Sequence, residues 1–234
     1  MRGICVHSLY TEPIAETILA PTMLASRPKC YDPGSTGIEK MDERALTVLR
    51  ALEVQDARER DTGTPRTERL RQVTPEVGRF LHTLVLATRP GSLLEIGTSG
   101  AYSTIWLAAA AREIGAIVTT LEIDPGRVAV ARENLAAAGL AKSVTIVEGD
   151  ALQFLRSRQD PLHFAFLDAE KEDYETYLGL LVPLLPIGGV LVADNLLSHG
   201  EELAGFSRSA LGDERLSGLV VPIGRGELLA VRVA

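Results

Sequence analysis

Aromatic residues are scarce in this chain, 5% of 234 residues with a single tryptophan, so its core must be built from aliphatic side chains and alanine. Cysteine is nearly absent: Cys5 and Cys30 both fall within the first 30 residues, and the rest has none. That excludes a disulfide framework and fits a reducing cytoplasm. No apolar run approaches the ~18 residues that a membrane span needs. Glu12, Pro13 and Glu16 interrupt the apolar start that a signal peptide would require. Positive charge is in deficit as well. The 24 Lys and Arg stand against 31 Asp and Glu, a net charge of −7, which counts against sequence-independent nucleic-acid binding. What remains is the composition of an ordinary globular domain, 46% hydrophobic and 24% charged, long enough for one sizeable core and an appendage.

Residues 1–40 show no useful periodicity and carry Pro13, Pro21, Pro28, Pro33, Gly34 and Gly37. They read as a disordered extension, with Met41 as the expected natural start. Leu46, Val48, Leu49, Leu52 and Val54 predict an amphipathic helix over about 42–60, stopped by Asp61-Thr-Gly-Thr-Pro. Thr74-Pro75-Glu76 opens a second helix, with threonine as cap and proline at the first helical position, and Arg89-Pro90 closes it. Together, residues 41–90 read as a helical cover for the domain over 91–234. There strands at about 92–96, 116–121, 143–148, 162–167 and 188–193 alternate with helices at about 101–113, 125–138, 151–158 and 171–185. Such alternation predicts a parallel sheet with right-handed crossovers. A helix near 201–211 follows, then a β-hairpin of Leu219–Ile223 and Leu228–Val233 turning at Gly224-Arg225-Gly226.

The chemistry lies at the strand ends, where doubly wound sheets bind ligands. The first strand turns through Gly97 and Gly100 into a helix, but G-x-x-G alone is a weak signal. The ends that follow are more telling: Glu95-Ile-Gly97, Glu122-Ile-Asp124, Glu148-Gly-Asp150, Asp168-Ala-Glu170-Lys171 and Asp194-Asn195. Helix capping explains any one of these, Asp124 and Asp150 most readily; it does not explain all five. Glu122 is spaced from the glycine turn as a ribose-binding carboxylate is, and Asp150 suits an exocyclic amine. A rim so acidic repels a pyrophosphate and accepts a cation. A sulfonium cofactor carrying adenosine and an amino acid, S-adenosylmethionine, fits it.

Residues 70–234 resemble the class I, metal-dependent O-methyltransferases of the catechol and caffeoyl-CoA type. The matching pieces are Leu94-Glu-Ile-Gly-Thr-Ser-Gly-Ala-Tyr-Ser103, Glu122-Ile-Asp-Pro, Gly149-Asp-Ala151, Leu167-Asp-Ala-Glu-Lys-Glu-Asp-Tyr174 and Gly188-Gly-Val-Leu-Val-Ala-Asp-Asn195. The resemblance implies a Rossmann-like α/β fold: a mostly parallel seven-stranded sheet, helices on both faces, and a C-terminal antiparallel hairpin. It implies that Glu95, Gly97, Thr98 and Ser103 surround the methionine part of S-adenosylmethionine, with Val73 touching the cofactor through its backbone. Glu122 would hold the ribose, and Asp150 with Ala151 the adenine. Asp168 would border the cofactor and, with Asp194 and Asn195, bind a divalent ion; Lys171 would be the base. The partners implied are a small hydroxylated acceptor and a second copy of the chain in a homodimer, without nucleic acid or membrane.

Two carboxylates and an amide form an all-oxygen donor set suited to Mg²⁺, or to Ca²⁺ or Mn²⁺. A vicinal diol chelated there would become more acidic, and Lys171 could take its proton. Two departures from the family pattern stand out. Glu170 replaces a usual Asp, and Arg225 occupies a turn where an acid is usual, which would favour an anionic substrate. His199 reads as a loop residue, Trp106 as core; Tyr174 and Tyr177 could pack or line a dimer face. Three alternatives stay open: methylation of a hydroxylated tRNA nucleoside, nicotinamide-dependent oxidoreduction, and a non-catalytic binding module.

Overall fold

The computed structural model describes residues 41–65 and 68–234. The extension expected over 1–40, with Cys5 and Cys30, lies outside the described residues. The described residues form one compact unit. In chain order its elements are α1 (Glu43–Asp61), α2 (Pro75–Thr88), β1 (Leu93–Ile96), α3 (Tyr102–Ile114), β2 (Val118–Glu122), α4 (Pro125–Ala137) and β3 (Val144–Glu148). Then come α5 (Ala151–Ser157), β4 (Phe164–Leu167), α6 (Tyr174–Leu184), β5 (Val190–Ala193), α7 (Ala204–Gly212), β6 (Leu216–Val221) and β7 (Glu227–Arg232).

The seven strands form one sheet in the order β3-β2-β1-β4-β5-β7-β6. The first five run parallel, and β7 lies antiparallel to both β5 and β6. The chain winds outward from β1 to β3, then returns to lay β4 on the other side of β1. That reversal opens a crevice above the carboxyl ends of β1 and β4.

Strand alternation divides the core. Leu94 and Ile96 of β1, Ala165 and Leu167 of β4, and Leu191 and Ala193 of β5 face one way, against α5, α6 and α7. Tyr174 and Tyr177 belong to this layer, 0% and 6% exposed, so both pack inside the chain. On the other face lies α3, buried from Tyr102 to Ala111 beneath α2. The scarcity of aromatics has its counterpart here: alanines 108–111 present little bulk, and α2 comes close over the one tryptophan. A Cβ on Gly78 would fall 2.3 Å from Trp106 Nε1, so only glycine fits at that crossing. Trp106 is core, 3% exposed. Among the described residues no helix is long and apolar enough to cross a membrane.

Element ends differ from the sequence reading in a few places. Lys171–Asp173 is a separate 3₁₀ turn, and the α-helix starts only at Tyr174. Thr74 occupies the N-cap of α2 with Pro75 behind it, but its hydroxyl makes no capping bond. The sixth strand starts three residues earlier than its apolar run, at Leu216, and stops at Val221. Pro222 lacks the N–H that would extend the ladder, while exposed Ser217 and Gly218 gave the start of the strand no hydrophobic signature. The helix expected near 201–211 runs from Ala204 to Gly212.

Candidate functional site

A cavity of about 930 Å³ opens over the β1–β4 crevice. Its floor is the turn Gly97–Gly100. Gly97 has φ +101°, and a Cβ there would stand 2.1 Å from the Asp168 carbonyl oxygen. Bare backbone therefore lets the ends of β1 and β4 touch. Ser99 and Ala101 also take positive φ, 48° and 67°, conformations that persist in non-glycine residues only when neighbours impose them. At Ser99 the neighbours are visible. Its N–H donates to Glu122 Oε2 at 2.8 Å, and its hydroxyl donates to the Leu70 carbonyl.

Glu122 is thus a fastener as well as a wall residue. Its other oxygen, Oε1, accepts from the N–H groups of Ile123 and Asp124, both at 3.0 Å. Asp124 and Asp150 are both the capping residues that the sequence suggested. Asp124 Oδ1 accepts from Gly126 and Arg127 N–H, and Asp150 Oδ1 accepts from Leu152 and Gln153 N–H. Asp150 still lines the cavity, beside Ala151 at the first position of α5. One oxygen serves its cap, so the carboxylate can cap a helix and face a ligand at once.

Val73, Gly97, Thr98, Ser103, Glu122, Asp150, Ala151, Asp168, Lys171 and Asn195 all reach this one cavity. Of the residues expected to hold the cofactor or ion or to act as base, two do not: Glu95 and Asp194 lie behind the wall. Glu95 is fully buried and accepts from Ser103 Oγ at 2.6 Å, Thr104 Oγ1 at 2.5 Å and Thr120 Oγ1 at 2.7 Å. Burial pushes its carboxyl up to about 7, against the three hydroxyl donors, which favour the charged form. Glu95 meets the cavity wall through Ser103, whose hydroxyl it orients, and through Thr120, which bonds Thr98.

The Asp168 end is the most densely connected part of the wall. Lys171 Nζ donates to Asp168 Oδ1 at 3.1 Å, to the Ala169 carbonyl at 2.7 Å and to Tyr174 Oη at 3.0 Å. Asn195 Nδ2 donates to the same Asp168 oxygen at 2.9 Å. Asn195 takes φ +80°, a left-handed turn that Asn tolerates better than most residues and that aims its amide back at Asp168. Asp194 Oδ1 accepts from Asn195 N–H at 2.6 Å. Its other oxygen, Oδ2, is buried without a hydrogen-bond partner among the described residues, as are both carboxyl oxygens of Glu227. These two acids face one another: burial and then the Asp194 charge hold the Glu227 proton on, and burial and then Asp168 raise Asp194. Glu227 was not anticipated. Its one signal is an acid at the head of the apolar strand Leu228–Val231.

The roof is expected in part: the sequence reading places Val73 at the cofactor, but it does not single out the residues just before it. The segment Arg69–Val73, between α1 and α2, carries Arg69, Leu70, Arg71 and Gln72 over the cavity. Arg71 pairs with Glu170 at 2.5 Å, and Arg127 Nη2 donates to the Arg69 carbonyl. Two arginines in three residues of an acidic chain were the available clue.

The chain from residue 53 to 233 matches the model of the O-methyltransferase family. A catechol O-methyltransferase of Mycobacterium tuberculosis is 41% identical over 133 residues, 56% of this chain. The match spans 60% of that relative's length. An O-methyltransferase of Bacillus cereus solved in complex with SAH superposes with TM-score 0.67 at 28% identity, covering 82% of this chain and 91% of the other. The O-methyltransferase TomG of Streptomyces achromogenes, solved with SAM, gives TM-score 0.68 at 28% identity, with 83% and 92% covered. A seven-stranded sheet with β7 alone reversed, a crevice at the switch point and a family match across both lead to one conclusion: this chain belongs to the O-methyltransferase family.

Proposed function

We propose that this protein transfers the methyl group of S-adenosylmethionine to a hydroxyl of a small catechol-like or other phenolic acceptor, with a divalent ion chelating the acceptor's adjacent oxygens. The observation that carries this reading is the convergence of Glu122, Asp150, Asp168, Lys171 and Asn195 on one cavity. Glu122 would hold the ribose, Asp150 and Ala151 the adenine, and Thr98, Ser103 and the Val73 backbone the methionine end. Complexes of family members with SAM and SAH, and the catechol O-methyltransferase relative, support it.

The metal rests on the donor set. Among the described residues no cluster of three or more His, Cys, Asp or Glu is arranged to hold an ion; the set at issue is two carboxylates and one amide. Asp194, buried against the Glu227 carboxyl and behind Asp168 and Asn195, belongs to a cluster of acids whose mutual repulsion a hard cation would relieve. Mg²⁺ suits it best, and its chemistry when bound is to acidify a coordinated hydroxyl. Asp168 and Asn195 would orient the acceptor. Lys171, held between Asp168 and Tyr174, would accept the hydroxyl proton as the neutral amine, the form that a cation bound nearby favours. The strap over residues 69–73 would exclude water and hold the acceptor in line, where proximity contributes about 7–11 kcal/mol at most. Neither tRNA nor a nicotinamide cofactor gains support from the site or from the relatives.

A thermal-shift series separates the ligand classes, because a ligand that binds only the folded form raises the melting temperature. S-adenosylmethionine should raise it by several degrees and NAD⁺ should not. Stabilisation by NAD⁺ alone would refute the proposal.

A further inference from the structure

The acids of the site have a cationic counterpart at a fixed place. Arg225 lies in the turn between β6 and β7, and that turn is fastened to the segment following Asp194 and Asn195. Leu196 N–H donates to the Gly226 carbonyl at 2.9 Å, and the N–H groups of Leu197 and Ser198 donate to the Arg225 carbonyl at 2.9 and 3.0 Å. The arginine backbone is therefore held against the ion-binding turn. Its side chain lines the cavity, with Ser198, His199 and Lys171 on the same wall, and its Nη2 reaches the Gln72 carbonyl of the strap at 3.5 Å. Among the described residues Arg225 has no carboxylate within ion-pair distance. Only one hydrogen bond, to Gln72, engages its guanidinium among the described residues, and the residue lines the cavity that would hold the acceptor.

We propose that Arg225 selects acceptors carrying an anionic group, a carboxylate on the ring or on a short arm of the ring, in addition to the two chelating oxygens. A guanidinium presents a planar fork that matches a carboxylate and retains its charge at any working pH. Placed between the strap and the ion-binding turn, it would fix the far end of an acceptor whose diol end is held near Asp168 and Asn195. Asp168 and the other acids at the diol end would disfavour such an anion there, and the arginine offsets that preference at the far end. This inference rests on the vicinal-diol reading given above. The competing role for Arg225 is purely structural: its charge also helps keep Asp194 ionised, so losing it could weaken the site for every acceptor alike.

Three acceptors sharing the diol and differing in charge tell these apart: 3,4-dihydroxybenzoate, catechol and dopamine, each with S-adenosylmethionine and Mg²⁺. The wild type should show kcat/KM in that order. In Arg225→Gln the ratio of 3,4-dihydroxybenzoate to catechol should fall about 10- to 100-fold, the range for a lost hydrogen bond to a charged group. Arg225→Glu should invert the order toward dopamine, and Arg225→Lys should lie between wild type and Gln. Stabilisation of each variant by S-adenosylmethionine shows that it is folded. A loss of equal size on all three acceptors, the ratios unmoved, would overturn the proposal and leave the structural role. A wild type that methylates none of the three would count against the vicinal-diol reading. Equilibrium binding of 3,4-dihydroxybenzoate to wild type and Arg225→Gln would then decide the fate of Arg225 separately: weaker binding by the variant supports it, equal binding overturns it.

Discussion

Glu95 holds three hydroxyl groups in place from inside the protein, and its acidity makes that role measurable. Its carboxyl titrates near 7 in the fold against about 4.5 when unfolded. Below 4.5 both states carry the proton. As pH rises from 4.5 to 7 the unfolded chain releases it first, so the folded state binds more protons and stability falls. The loss is complete above 7, of order 3 kcal/mol at most. Glu95→Gln removes this titration, so the difference in melting temperature between wild type and variant should shift in the variant's favour between pH 5 and 8. Parallel curves over that range would show that Glu95 ionises normally. Asp194→Ala should cut metal-dependent turnover at least ~100-fold while S-adenosylmethionine still raises the melting temperature. Lys171→Met should lower kcat by about 10²–10⁴-fold with cofactor binding kept, as isothermal titration would show.

At the scale of elements, positions with no tolerance for a side chain set the geometry. Gly97→Ala would force a Cβ into the Asp168 carbonyl at a φ that alanine disfavours. Urea denaturation should show a loss of about 1–3 kcal/mol, with weaker cofactor binding because the ends of β1 and β4 would be pushed apart. Gly78→Ala should cost a similar amount through overpacking against Trp106 and leave the cavity ligands in place. The parallel strands were legible because each apolar run ends abruptly in glycine or an acid. The 3₁₀ turn at Lys171–Asp173 was not, since its residues continue the helical pattern of α6. Nor was Glu95's depth. Period-two alternation puts residues 95 and 96 on opposite faces, but only the packed helices decide which face meets the cavity.

Taken whole, the molecule shows what single-sequence reasoning reaches and where it stops. Residues close in sequence to a strand end, such as Asp168 with Lys171 or Asp194 with Asn195, could be grouped because the chain itself brings them together. Glu227 against Asp194, Arg225 against the turn at 196–198, and Leu70 over Ser99 are pairings across dozens of residues. The fold alone makes them, and the sequence offers no pattern from which to read them. The same architecture makes the central claim open to direct test. Transfer of an isotopically labelled methyl group from S-adenosylmethionine to 3,4-dihydroxybenzoate should proceed with Mg²⁺, stop on chelation with EDTA and return when Mg²⁺ is restored. Transfer that continues at an unchanged rate in excess EDTA, or no transfer in any of the three conditions, would contradict the account.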